Sequence, residues 1–213
     1  MAHSRIIEGR TFTGKPGSPA EFVLSQSGVT YRNCRFTGGS SGLVIQDSAD
    51  LVIEGCEFDN QTGPADPAGH CLQLIRCANV SVLACKFKAS PADEDLLSIY
   101  ADKPTGGVTN VADCEFVGRG VSGSSTAACF DGPDCPTVKW IGGTISGARC
   151  GITIAGGCGH SIQRLTCGPA DDATIYAYNG YGAAKWGPLS IQSCKLATPP
   201  LIDSGVAKWV TTK

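Results

Sequence analysis

Two carboxylates and one lysine are the residues of this sequence best placed to do chemistry. Asp95 opens the apolar stretch 96–100, Asp131 closes a later one, and Lys103 follows the first stretch at a turn. A glycoside hydrolase needs two carboxyl groups about 5 to 9.5 Å apart. A lyase acting on a uronate polymer needs a base, often Lys or Arg, near the C5 proton, and Ca²⁺ held by carboxylates or a positive group to neutralise the substrate carboxylate. We predict Asp95, Asp131 and Lys103 as the catalytic set if the protein is an enzyme, and solvated turn residues if it is not.

Aromatic residues concentrate near the end of the chain. Four of them fall within eleven residues, and a fifth follows later, in the order Tyr176, Tyr178, Tyr181, Trp186 and Trp209. Such a surface binds sugar rings, contacts another subunit or closes the end of a domain. The sequence favours closure or a subunit contact and leaves carbohydrate binding as the alternative.

A short strand pattern recurs along the whole chain and must position these residues. Its copies close on an apolar residue at Phe12, Phe36, Phe58, Phe87, Phe116, Ile145, Cys167 and Leu196. Successive copies are 22 to 29 residues apart, a period typical of repeat architectures. Apolar and polar residues alternate within each copy, which indicates a strand.

A repeat of this length, with strands but no helical period, predicts a parallel β-helix. Leucine-rich repeats have the same length but need a leucine framework that the chain lacks. In a parallel β-helix each repeat is one coil, and equivalent residues of neighbouring coils stack about 4.8 Å apart. We predict an all-β chain of about seven to eight coils. It forms a single domain over residues 1–213, with residues 197–213 as a C-terminal cap or subunit-contact segment.

The chain has twelve cysteines, and five form a second column, two residues before the closing position: Cys34, Cys56, Cys85, Cys114 and Cys194. One interpretation is a ladder of buried free thiols. The other is a set of disulfides, because a stacking distance of about 4.8 Å lies within the range of roughly 4.4 to 6.8 Å between bridged Cα atoms. The candidate pairs are Cys34–Cys56, Cys85–Cys114, Cys129–Cys150 and Cys135–Cys158. No metal site is predicted, since the chain has no paired CxxC motifs.

Composition argues against several classes of partner. Charged residues make up 17% of the chain and the net charge is −2, so no basic stripe for nucleic acid or an anionic membrane is expected. No window reaches the roughly 20 apolar residues of a membrane span, and the first ten residues lack the apolar centre of a signal peptide. We therefore expect neither nucleic acid nor a membrane as partner, and no signal peptide.

Four ordered motifs carry a family resemblance. The stretches EDLLSIYADK, CEFVGRGVSGS, AACFDGPDC and ISGARCGITIAGGCGHSI follow one another between residues 94 and 162. In this order they resemble the bacterial and phage right-handed parallel β-helix repeat proteins, over roughly residues 28 to 196. The resemblance implies a single-stranded right-handed parallel β-helix of the pectate lyase-like superfamily, which includes polysaccharide-cleaving enzymes and phage tailspikes. This chain places cysteine where an asparagine ladder is common.

Three functions follow from these features. The favoured one is a non-catalytic structural, decoration or adhesion component of a phage virion or surface assembly. Such a component would be a homotrimer or docked on a larger assembly, in a virion or extracellular setting where disulfides persist. The second is a compact polysaccharide lyase or hydrolase, with Ca²⁺ as cofactor if it is a lyase. The third is a carbohydrate-binding module that uses the tyrosine and tryptophan patch.

Overall fold

The chain forms a solenoid of three parallel sheets. The computed structural model describes residues 5–59, 61, 69–90, 93–120, 125–157, 159–182 and 185–213. Within these ranges the sheets contain nine, eight and eight strands. Each coil contributes one strand to each sheet in turn, so that three consecutive strands complete a coil and the strand after them stacks on the first. Eight such coils confirm the predicted all-β parallel β-helix.

The strands have the following bounds. The first sheet contains β1 (Arg5–Glu8), β4 (Val29–Arg32), β7 (Ala49–Glu54), β10 (Ala78–Leu83), β13 (Val108–Ala112), β16 (Thr137–Ile141), β19 (His160–Gln163), β22 (Leu189–Gln192) and β25 (Val210–Thr212). The second contains β2 (Thr11–Gly14), β5 (Arg35–Gly38), β8 (Glu57–Asp59), β11 (Lys86–Lys88), β14 (Glu115–Val117), β17 (Thr144–Ser146), β20 (Thr166–Cys167) and β23 (Lys195–Leu196). The third contains β3 (Glu21–Leu24), β6 (Leu43–Gln46), β9 (Gly69–Ile75), β12 (Asp93–Tyr100), β15 (Thr126–Asp131), β18 (Cys150–Ile154), β21 (Ala173–Ala177) and β24 (Leu201–Ile202).

The closing apolar column lies inside the second sheet, as the sequence predicts. Strand pairing stacks its first five members directly over one another: Phe12, Phe36, Phe58, Phe87 and Phe116. Their ring centroids are 4.5 to 4.9 Å apart with interplanar angles of 3 to 10°. Aromatic burial on this scale dominates core energetics, so the stack ties each coil to the next.

One residue turns the chain from the first sheet into the second. In each of the eight coils that the structure describes, this corner residue has a φ between 50 and 69°. Left-handed backbone costs most residues roughly 1 to 2 kcal/mol, and glycine, asparagine and aspartate tolerate it best. Asn33, Gly55, Asp113 and Gly142 occupy four of these corners. The corner therefore accounts for part of the glycine content of the chain.

The cysteine column follows these corners and points inward. Each of the five thiols lies 3.3 to 3.7 Å from two carbonyl oxygens, one two residues earlier and one on the preceding coil. Cys77 makes the same pair of contacts, each at 3.4 Å, where the third sheet turns into the first. Carbonyl oxygens have two lone pairs, and the corner carbonyl two residues before each cysteine, such as that of Arg32 or Glu54, accepts the thiol in addition to a backbone N–H. The column is thus a ladder of hydrogen-bonding thiols.

The candidate disulfides are not formed in the structure. Cys34, Cys56, Cys85 and Cys114 stack as predicted but are present as thiols. Cys129 is opposite Thr153, three residues beyond Cys150, an offset of about 10 Å along the strand that exceeds disulfide reach. The remaining pair includes Cys158, which lies outside the described residues.

We expect the four buried thiols of the ladder to resist alkylation in the native protein. Cys34, Cys56, Cys85 and Cys114 are at most 1% exposed, and burial raises the pKa of the Cys34 thiol, which disfavours the reactive thiolate. Iodoacetamide at neutral pH, without reductant, should spare all four, and alkylate all four after unfolding in guanidinium chloride. Cys194, which is partly exposed, is the internal control and should react in the native state. Cysteines that stay blocked after unfolding until a reductant is added would show disulfides instead.

Candidate binding groove

A groove runs along the outer face of the third sheet. It crosses β9, β12, β15, β18 and β21, a length of about 19 Å at roughly 4.8 Å per strand. Its volume is about 490 Å³, within the range of roughly 300 to 1,000 Å³ typical of ligand sites. Asp95 and Asp131, both predicted from the sequence, contribute to its lining.

Strand register places one residue of each strand in a central row of the groove. The row consists of Gln73, Ser98, Cys129, Thr153 and Tyr176. The neighbours of each residue along its strand are buried, as Leu97 and Ile99 are on either side of Ser98, so the row points away from the core. Amide and hydroxyl groups in such a row offer both donors and acceptors to a ligand.

Two further rows form the sides of the groove. His70, Asp95, Thr126 and Cys150 pair in register along one side. Tyr100 and Asp131 pair along the other. The groove is therefore as wide as the third sheet, with acidic residues on both sides.

Tyrosines close one end of the groove. The rings of Tyr176 and Tyr178 stack with centroids 5.0 Å apart and an interplanar angle of 22°. The Tyr181 hydroxyl donates to Asp131 Oδ1 at 2.7 Å, although the two residues belong to coils that are not adjacent. Between them lies Gly156, where an added Cβ would come 3.1 Å from the Tyr181 ring. The absent side chain lets Tyr181 reach Asp131.

Charged groups of the groove are paired with neighbours. The Arg149 guanidinium lies 3.2 Å from an Asp172 oxygen at the groove wall. His70 Nδ1 is 3.3 Å from the backbone oxygen of Asp95 and 3.8 Å from its carboxylate. Three carboxylates thus face one guanidinium among the described lining residues, and the groove is acidic.

Asp95 and Asp131 line the same groove on neighbouring strands, as the sequence analysis expects, but at opposite sides. Asp95 pairs with Thr126, and Asp131 lies five residues further along β15, opposite Tyr100. At about 3.3 Å per residue, their Cα atoms are roughly 17 Å apart. The two carboxyl groups of a glycoside hydrolase are about 5 to 9.5 Å apart. This offset separates them too far for an acid–base pair.

Lys103 lies outside the groove. Its Nζ is 3.8 Å from Asp47 Oδ1, and Asp47 also receives Arg76 Nε at 2.6 Å. The hydrogen bond from Arg76 holds the pKa of the Asp47 carboxyl well below its usual range. Lys103 therefore belongs to a cluster at the corner between the third and first sheets, separate from the two carboxylates with which it was grouped.

The predicted aromatic group divides between surface and core. Tyr176 and Tyr178 line the groove, and Tyr181 contacts its wall. Trp186 is 4% exposed and belongs to the core. Trp209 ends a short 3-10 helix, Ala207–Trp209, and is partly buried against the core. Residues 197–213 contribute β24 and β25, which extend two of the sheets.

Cys150 and His160 lack the features of a catalytic nucleophile and base. Cys150 is 3% exposed, and burial raises the pKa of its thiol, which disfavours the thiolate. His160 accepts from the Val138 N–H at Nδ1 and contacts the Gly156 oxygen through Nε2, while burial lowers its pKa. Both ring nitrogens are occupied by the backbone, so His160 has a structural role.

Sequence analysis placed none of the central row in a binding site except Tyr176. Gln73, Ser98, Cys129 and Thr153 each follow a buried apolar residue and precede another, so aligning third-sheet strands on their apolar residues would have found them. The repeat that is visible in the sequence is the column of the second sheet, and its spacing does not fix the positions of residues beyond the next corner. Arg149 has no such signal, because it precedes its strand.

Among the described residues, no group of three or more histidine, cysteine, aspartate or glutamate side chains is arranged to hold a metal ion. No helix in the described part of the chain has the length and apolar character needed to span a membrane.

Comparison with known proteins gives one match. The model of a protein family described as "Right handed beta helix region" matches residues 2–162, roughly three quarters of the chain. The match agrees with the three parallel sheets and identifies the β-helix as right-handed. The chain has no significant match to a curated protein or to a solved structure.

Proposed function

We propose, since the chain belongs to the right-handed β-helix family, that it is a non-catalytic adhesion component that binds a glycan in the groove of its third sheet. The observation that carries the proposal is the position of the stacked Tyr176 and Tyr178 rings at one end of a row of amide and hydroxyl side chains. Aromatic faces pack against the apolar faces of sugar rings, and polar side chains bond their hydroxyl groups.

The open shape of the groove suits a chain-like ligand. Five parallel strands place equivalent side chains at regular steps of about 4.8 Å along the solenoid axis. A glycan lying along this axis would meet Gln73, Ser98 and Thr153 in turn before it reached Tyr176. The repeat of the fold therefore presents a repeating set of contacts.

Positions of the carboxylates support a binding role over cleavage. Asp95 and Asp131 are roughly 17 Å apart by strand register. Lys103, the predicted base, is at a corner with Asp47. The same separation weakens the hydrolase and lyase alternatives. Attachment to a virion or cell surface and a trimeric state remain predictions from the sequence.

Glycan binding is tested by a Tyr176→Ala variant. Loss of the aromatic surface should weaken binding by about tenfold or more, equivalent to about 1.4 kcal/mol. The measurement is a glycan microarray followed by calorimetric titration of any glycan that binds, with circular dichroism to verify folding. Phe22→Ala is the matched control: Phe22 is 51% exposed and lies in the same outward row, outside the groove.

Three results would contradict the proposal. If no glycan binds, the groove is not a glycan site. If Tyr176→Ala and Phe22→Ala have the same affinity, the glycan binds elsewhere. If incubation of a bound glycan releases new reducing ends or unsaturated products, the protein is an enzyme.

A further inference from the structure

We infer that the groove takes glycans built from neutral or amino sugars and rejects acidic ones. This inference rests on the proposed function and concerns its substrate class. It is drawn from the charges of the groove and from their spacing. Asp95, Asp131 and Asp172 are its described carboxylates, and Arg149 is the one guanidinium among the described lining residues.

The guanidinium does not offer an acidic sugar an unpaired cation. Arg149 Nε lies 3.2 Å from Asp172 Oδ2, so its charge is already balanced by a neighbouring carboxylate. Lys185, which does not line the groove, is paired with Asp134 at 3.1 Å. A uronate or sulfate entering the groove would face Asp95 and Asp131 without a compensating positive group, and like charges at close range oppose binding.

Protonation of His70 would not reverse this balance. His70 lies beside Asp95, with Nδ1 3.8 Å from the carboxylate. Even with a charged imidazole, the described lining has three carboxylates and two cations. The net charge of the described lining residues is therefore negative whether His70 is neutral or protonated.

A calcium ion shared between carboxylates would not convert the groove to an acidic-glycan site. Strand register places Thr126, Cys150 and Ala173 beside Asp95 on the next three strands. Asp172 directly precedes Ala173, so it is three strand spacings, about 14 Å, from Asp95. Asp95 and Asp131 are roughly 17 Å apart. Ca²⁺ binds its oxygen ligands at about 2.3 to 2.6 Å, so Asp95 can share one ion with neither Asp131 nor Asp172.

Neutral and cationic sugars fit the same surface. The central row offers Gln73, Ser98 and Thr153 to uncharged hydroxyl and amide groups. A protonated amine would gain from the carboxylate field, by about fivefold in affinity for one contact near 4 Å in water. We expect this gain to fall as salt is added, because the Debye length shrinks to about 10 Å at 0.1 M ionic strength.

The test compares three series on one array: neutral oligosaccharides, oligosaccharides with free amines and their N-acetylated forms, and uronate or sulfated oligosaccharides. Binding is then titrated at low and high salt. The expected result is binding within the neutral and amine series, a salt-sensitive preference for the free amine, and none within the acidic series. If acidic glycans bind as well as neutral ones, the inference fails while the proposed function stands. If no series binds, both fail.

An isosteric charge variant isolates the carboxylate contribution. Asp131→Asn keeps an oxygen that accepts the Tyr181 hydroxyl and removes one negative charge, so the ratio of free-amine to N-acetyl affinity should fall severalfold. Glu115→Gln is the matched control, because Glu115 is an exposed carboxylate of β14 in the same coil but on the second sheet. Equal effects of the two variants would overturn the role of the groove carboxylates.

Discussion

The Phe87→Ala variant is expected to lose about 3 to 5 kcal/mol of its free energy of unfolding. Phe87 is 1% exposed, and its ring lies between those of Phe58 and Phe116, with centroids 4.8 and 4.5 Å away. Parallel pairing holds the neighbouring coils about 4.8 Å apart. The coils cannot close over the space that the ring leaves, so the variant retains a cavity and loses two stacked contacts.

Guanidinium chloride unfolding, followed by far-UV circular dichroism, measures this loss. Phe22→Ala is the control, because Phe22 is 51% exposed and its loss should stay within about 0.5 kcal/mol. Phe87→Leu keeps most of the apolar volume without the ring, and its loss should lie between the two. A loss below about 1 kcal/mol for Phe87→Ala would contradict a stabilising role of the stack.

A second large loss is expected for Gly132→Ala, about 3 kcal/mol or more, because two separate costs combine. Gly132 has a φ of 94°, and an added Cβ would collide with the backbone oxygen of Ala101. That oxygen cannot withdraw freely, since it accepts the Asp134 N–H at 3.1 Å, and the Ala101 N–H in turn donates to Asp131 at 3.2 Å.

Gly106→Ala is a control that measures the backbone cost without the steric collision. Gly106 has a φ of 67° but no atom within 4 Å of an added Cβ, so this variant suffers only the backbone cost of about 1 to 2 kcal/mol. Thermal unfolding of both variants beside the unmodified protein makes the comparison. Equal losses would show that the contact with Ala101 has no effect. Because Gly132 follows Asp131, Gly132→Ala should also weaken glycan binding.

The architecture was accessible from the sequence for a simple physical reason. Each coil must place apolar residues inward at the same point, and the positions of Phe36, Phe58 and Phe87 repeat accordingly. Neighbouring coils bury what one coil cannot. The periodic spacing of these residues was therefore enough to predict the fold, the number of coils and the stacked column.

The state of the cysteines was not accessible in the same way. Column spacing placed Cys34 and Cys56 on adjacent coils, where a disulfide and a pair of thiols are both compatible with the distance. The structure has both residues as thiols, and the corner before each cysteine of the column places two carbonyl oxygens within 3.3 to 3.7 Å of its sulfur.

The sequence by itself determined the repeat, the inward columns and the presence of Asp95 and Asp131 on neighbouring coils. Only the tertiary structure decided which outward residues share the groove. The place of a side chain around a coil depends on its distance from the corners, and coils of 22 to 29 residues reach their third sheet after unequal lengths of chain. Because each residue along a strand advances the chain by about 3.3 Å, a difference of a few residues in these lengths changes where a side chain lies. Lys103 therefore lies beyond a corner, and Asp95 and Asp131 lie on opposite sides of the groove.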